Sequence, residues 1–139
     1  MYSWSIAWRH AWYFGGSVKL NLFNSLTDIE YISRHNLKIC LDVSHLVMAA
    51  SFYSADWKIW YNKLKDFSDH IHISDAGDSS SEGLMIGDGL IGNFSEILSL
   101  KKVKIIECWQ GHMNGGEGFK KSLEILKKQY SDGMPGHGL

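Results

Sequence analysis

The sequence has no run of eighteen apolar residues, so it offers no segment able to cross a bilayer as a helix. Its aromatic start, MYSWSIAWRHAWYF, carries Arg9 and His10 inside the apolar stretch, which does not fit a secretory signal. Cysteine is scarce. Cys40 and Cys108 are the only two, each within an apolar run, and they read as small core residues rather than a disulfide framework. These absences together point to the reducing cytoplasm. An excess of one charge is lacking as well: 14 Lys and Arg stand against 15 Asp and Glu. The lysines, Lys101, Lys102 and Lys104 and then Lys120, Lys121, Lys127 and Lys128, make no continuous basic stripe for a phosphate backbone. Neither a nucleic acid nor a membrane is expected as partner. What is present is 45% hydrophobic residues in 139, enough to bury the core of one domain.

Local patterns alternate between strand and helix. Thr27 and Glu30 have capping-box spacing, with Ile29 and Ile32 on one face, which predicts a helix over 27–35. LKICLDV, 37–43, is apolar and too short for a helix, hence a buried strand. Trp57, Trp60, Tyr61, Leu64 and Phe67 form the stripe of a helix. DHIHISD, 69–75, alternates strictly, Ile71 and Ile73 opposing His70, His72 and Ser74, and so predicts a strand. A Gly and Ser loop leads to a helix capped near Asn93, with Glu96 at capping-box distance. VKIIECW, 103–109, is another strand, and a last helix carries Phe119, Leu123, Leu126 and Tyr130 as its stripe. The tail over 132–139 is expected to be flexible. With a further strand over 3–8, there are about four βα units and a parallel sheet, either a small open α/β sheet or half a TIM barrel.

Three polar residues close these strands. Asp42, His72 and Glu107 follow one another at thirty and thirty-five residues, and side-chain alternation lets all three project to one side of adjacent strands. Two carboxylates and an imidazole suit Mn²⁺, Mg²⁺, Co²⁺ or Zn²⁺, and three protein ligands leave positions for substrate or water. Acids at strand ends also cap the next helix, so each has a purely structural reading beside this one. His45, three residues past Asp42, has three roles open to it: metal ligand, substrate contact or helix cap. Trp4, Trp8, Trp12, Tyr13 and Phe14 form either a stacking wall for a sugar ring or part of a core or interface.

GLMIGDGLIGNF also contains a formal dinucleotide fingerprint, with Gly87, Gly89 and Gly92, and Glu107 twenty residues after the first. A true fingerprint needs its first glycine directly after a strand and its helix opening inside the motif. Here the preceding strand ends more than ten residues earlier and the Asn93 cap follows the third glycine. The glycines read better as a flexible loop over the mouth of the metal site, with Gly87 and Gly89 against substrate.

CLDVSHL, HIHISD, IGDGLIGNFSEIL and KIIEC follow in this order and spacing over 37–126. In them the chain resembles the C-terminal half of the xylose isomerase-like TIM barrels, the superfamily of sugar phosphate isomerases and epimerases and endonuclease IV. The resemblance implies a partial barrel over 1–131 and gives Asp42, His72 and Glu107 the place of three of four metal ligands. His45 would be a substrate-proximal or second-metal histidine. The activity implied is isomerisation or epimerisation of a sugar or sugar phosphate, a divalent cation polarising the carbonyl and Glu107 moving the proton. Two departures matter. The family's fourth ligand, a Glu ending the preceding strand, has no counterpart in SIAWRHAW, and the Asp-x-His of the endonucleases is missing from EGLMIGDG. DVSHLVMAAS also resembles the accessory barrels of sialic-acid-type synthases, so a non-catalytic sugar-binding domain is the alternative, with a dinucleotide-binding domain third. Half a barrel has two open edges and an apolar face, so a homo-oligomer or a longer chain is expected to complete it.

Overall fold

The computed structural model describes residues 2–4, 25–78 and 81–133. The chain runs β1 (Tyr2–Trp4), α1 (Leu26–His35), β2 (Ile39–Asp42), α2 (Val43–Phe52), α3 (Trp57–Leu64), β3 (Ser68–Ile73), α4 (Ser95–Ser99), β4 (Val103–Ile106) and α5 (Met113–Gly133). It is a mixed α/β fold around one sheet, ordered β1-β2-β3-β4, with every pair parallel. Among the described residues no helix is long and apolar enough to cross a membrane.

The sheet has two unlike faces. Ile39, Leu41, Ile71 and Ile73 enter the core with Ile106 packed against them, and there they meet Ile29 and Ile32 of α1, Val47 of α2 and Trp60 and Leu64 of α3. Cys40, Asp42, His70, His72, Val103 and Ile105 occupy the alternate positions and so project to the other side. On β4, the last strand of the sheet among the described residues, Val103 and Ile105 are exposed.

The helices show where local rules sufficed. α1 begins two residues before the expected box: Ser25 accepts from the Asp28 N–H at 3.3 Å, and Asp28 Oδ2 accepts from the Ser25 N–H at 2.9 Å. Ser-x-x-Asp closes the same reciprocal loop as Thr-x-x-Glu, and both spacings stand in the sequence here. Between β2 and α3 lies α2, whose residues Val43, Ser44, Leu46, Val47, Met48, Ala49 and Ala50 are all buried. A helix buried on most sides has no polar stripe, so it leaves no 3.6-residue signal. α3 stops at Leu64, and Phe67 falls in a 3₁₀ turn. The Asn93–Glu96 box does not form: Asn93 Oδ1 accepts from the Ser95 N–H at 2.8 Å, and Glu96 pairs with Lys65 at 3.3 Å.

The stripe expected on α5 is corrected by the structure. Ser122 and Leu126 are buried and Phe119 is half-buried, whereas Leu123 and Tyr130 are exposed. On the same turned face, the Gln129 side chain accepts from the Phe94 N–H at 2.8 Å and donates to the Gly92 carbonyl at 2.9 Å. Asn114, Gly115 and Gly116, all at positive φ, interrupt the start of α5. The helix continues to Gly133, two residues into the expected tail; residues 134–139 lie outside the described residues.

Candidate metal centre

Asp42 is the last residue of β2 and at once the N-cap of α2. Its Oδ1 accepts from the His45 N–H at 3.0 Å, while Oδ2 faces His45 Nδ1 at 3.3 Å and His72 Nδ1 at 3.9 Å. The capping reading therefore holds through one oxygen, and the other is turned toward the two histidines. His72 is the register partner of Asp42 across β2 and β3, and its Nδ1 also pairs with Glu107 Oε2. Glu107 follows β4 directly and carries the ladder one step further, its N–H donating to the Ile73 carbonyl at 3.0 Å. Asp42, His72 and Glu107 each bring one ligand atom to within 4.8 Å of the other two.

Burial raises the pKa of the Asp42 carboxyl above its ordinary value, against the pull of His45 and its backbone N–H. Burial also pushes the neighbouring Cys40 thiol up to about 11, with the Asp42 and Glu107 charges adding to the effect. Cys40 and Cys108 are both buried and free of a disulfide, Cys40 on the sheet face opposite the core.

His45 carries the link to a residue the sequence did not single out. Its Nε2 lies 3.0 Å from Glu82 Oε2, while its buried Nδ1 has no hydrogen-bond partner among the described residues. Burial disfavours the imidazolium, but the Glu82 hydrogen bond and the Asp42 charge outweigh it and hold the pKa above the ordinary histidine value. The same hydrogen bond holds Glu82 below the ordinary glutamate value. Glu82 reaches the site because the chain beside it is tied down on three sides. The Gly83 N–H donates to Ser44 Oγ at 3.0 Å, its carbonyl accepts from the Trp109 N–H at 2.6 Å, and Leu84 bridges to Asp75. Gly83 has φ +64°, and a Cβ there would come within 3.3 Å of the Trp109 nitrogen, so glycine is favoured.

A cavity of about 170 Å³ lies against this cluster. Asp42, His45 and Glu107 line it together with Ser44, Ser74, Glu82, Gly83 and Trp109, whereas His72 reaches the cluster without lining the cavity. Gly87 and Gly89, expected against substrate, are not in the lining, and their loop is pinned rather than draped over the mouth. Asp75, fully buried, accepts from the N–H groups of Ala76 at 2.9 Å, Gly87 at 3.0 Å and Ile91 at 3.1 Å. A Cβ on Gly89 would stand 2.7 Å from Asp75 Cγ. The amides of Gly87 and Ile91, which a dinucleotide loop would turn toward a pyrophosphate, are thus turned inward onto a carboxylate.

Trp12, expected as a stacking residue, lies outside the described residues together with Trp8, Tyr13 and Phe14. Trp109, largely exposed beside the cavity, is the aromatic that the structure brings there. Ser44 and Trp109 could have been found from the sequence by their closeness to Asp42 and Glu107. Glu82 gave no such signal, since it sits in a polar loop without period. No family model, curated protein or solved structure matches the chain.

Proposed function

We propose that Asp42, His72 and Glu107 hold a divalent cation and that the chain carries the site of a metal-dependent sugar or sugar phosphate isomerase or epimerase. The observation behind this reading is the convergence of three ligand atoms to within 4.8 Å at the C-terminal ends of three adjacent parallel strands. The donor set fits a cation: Asp42 keeps one oxygen free of its capping bond, and the buried Nδ1 of His45 faces that oxygen at 3.3 Å without a hydrogen bond. Mn²⁺, Mg²⁺, Co²⁺ and Zn²⁺ all accept two carboxylates and an imidazole. Sequential parallel strands with polar residues at their C-terminal ends agree with part of a TIM barrel. A doubly wound sheet would reverse its strand order at the ligand site, and no reversal occurs among the described strands.

Asp42, His72 and Glu107 would hold the cation, which would supply polarisation of a substrate carbonyl and of the neighbouring hydroxyl. The chain's own residues supply the proton transfers. Glu107 is the carboxylate placed to take a proton from carbon or oxygen, and His45, held by Glu82, donates a hydrogen bond or a proton to a substrate oxygen. Trp109 offers an apolar face to a sugar ring. The cavity is smaller than the roughly 300 Å³ at which sites for drug-sized ligands begin, so it suits the reacting end of a sugar and not a dinucleotide.

A non-catalytic sugar-binding domain is the second reading, favoured by the commitment of Glu82 to His45, which leaves three ligands without a fourth among the described residues. Mn²⁺ titration of metal-free protein tests the first. We expect one Mn²⁺ per chain and a loss of affinity of about a hundredfold or more in Asp42→Ala and His72→Ala. No stoichiometric Mn²⁺ would sink the proposal; binding without exchange of substrate carbon-bound hydrogen with solvent, over a panel of aldoses and ketoses, would favour the second reading.

A further inference from the structure

One pleat below Asp42 and His72, on the same side of the sheet, stand Cys40 and His70. β2 and β3 are in register there, Cys40 beside His70 and Asp42 beside His72, so the four side chains form a two-by-two patch. The Cys40 sulfur and one nitrogen each of His70 and His72 lie within 4.8 Å of one another. The two imidazole rings are 5.3 Å apart between centroids and tilted by 52°. Cys40 is 5% exposed and free of any disulfide, and both histidines are half-buried. A free cysteine within a sheet is ordinarily a small hydrophobe, yet the neighbours of this one on its own face are imidazoles and a carboxylate. His72 has a nitrogen to spare, because Nδ1 is the atom turned toward Asp42 and Glu107.

We propose that Cys40, His70 and His72 form a second cation site, one pleat along the sheet from the oxygen-rich cluster and selective for a borderline ion such as Zn²⁺. A thiolate and two imidazoles make a three-ligand set that Zn²⁺ and Co²⁺ accept in tetrahedral coordination with water as the fourth partner. Mn²⁺ and Mg²⁺ prefer oxygen and pass it over. Binding forms a metal–sulfur bond, breaks the S–H bond and releases that proton to solvent, with no change of oxidation state. The two sites share only His72, so this inference does not rest on the isomerase reading.

Titration of the metal-free full chain with Co²⁺, followed by Zn²⁺ competition, tests it, because a cobalt–thiolate bond has a charge-transfer absorption in the near ultraviolet that oxygen and nitrogen ligands do not produce. We expect the band in the wild type, and its saturation at one Co²⁺ per chain in the Asp42→Asn, Glu107→Gln double variant, where the oxygen-rich site has lost its carboxylates. Cys40→Ser should abolish the band and weaken Zn²⁺ binding about a hundredfold, and His70→Ala should weaken it tenfold or more. Mn²⁺ binding should survive both substitutions, which separates failure of this site from failure of the oxygen-rich one. Absence of the band in the wild type overturns the proposal. So does a band that persists in Cys40→Ser, which would move the thiolate to Cys108. Circular dichroism of the metal-free variants checks folding. If Cys40→Ser does not fold, His70→Ala decides, and an unaltered band and affinity there overturn the site.

Discussion

A carboxylate has two oxygens, and Asp42 uses them differently: Oδ1 is held by the His45 N–H at the start of α2, and Oδ2 is left to the polar cluster. Loss of the side chain therefore removes a helix cap together with the proposed ligand, so a variant such as Asp42→Asn separates the two effects better than Asp42→Ala. The His45–Glu82 pair gives a second residue-scale expectation. The folded-state pKa of His45 is raised, so its contribution to stability is complete below the ordinary value of 6.5 and is lost as pH rises through the raised one. That of Glu82 is lowered, so its contribution is complete above 4.5 and is lost as pH falls through the lowered one. In metal-free protein the pair thus stabilises most between pH 4.5 and 6.5. Because the Glu82 side chain is 55% exposed, screening keeps the effect below about 1 kcal/mol. Denaturant unfolding should show a larger cost of Glu82→Gln at about pH 5.5 than at about pH 8.5; equal costs would argue against the pair. Tyr61 is the opposite case, a buried hydroxyl without a hydrogen-bond partner among the described residues. Tyr61→Phe should leave thermal stability unchanged or raise it by about 1 kcal/mol, and a clear loss would reveal a partner for that hydroxyl.

At the scale of elements, periodicity was legible where one face of an element is buried and the other is not. β3 is the clearest example, its Ile71 and Ile73 buried and His70 and His72 only half-buried, as the alternation requires. α2 failed to register because it is buried nearly all round, and α5 turns Ser122 and Leu126 inward where the stripe would have placed Leu123 and Tyr130, with Gln129 hydrogen-bonded to the 92–94 segment. That rotation is measurable. Leu126→Ala should destabilise by about 3 kcal/mol, whereas Leu123→Ala, at an exposed position, should stay within about 0.5 kcal/mol. Comparable losses at both positions would restore the stripe expected from the sequence. The glycine-rich loop belongs here too: its spacing imitated a phosphate loop, but a buried acid from the end of β3 had already claimed its amides.

For the whole molecule, the sheet order places the chemistry. Strands that follow one another in sequence and lie side by side bring residues thirty or more positions apart to one end of the sheet, so Asp42, His72 and Glu107 meet without any long excursion of the chain. Among the described strands the same order ends at β4, where Val103 is 66% and Ile105 45% exposed on the face away from the core. Such an edge favours pairing with another chain. Light scattering should find species larger than a monomer, and Ile105→Lys should shift them toward the monomer without loss of stability. A compact monomer in both cases would count against an association edge.

What the sequence determined by itself was local: which segments alternate, which residues close the strands, and that two scattered cysteines make no framework. Those features follow from side-chain direction and burial within a few residues, and they sufficed to bring Asp42, His72, Glu107 and His45 into view. Only the tertiary structure decided that Glu82 stands on His45, that Asp75 holds the glycine loop, that Gln129 of α5 bonds the 92–94 segment, and that Cys40 and His70 extend the polar patch by one pleat. The physical reason is range. Each of these rests on contacts between segments twelve to thirty-seven residues apart, where hydrogen-bond geometry selects the partner and no repeat in the chain announces it.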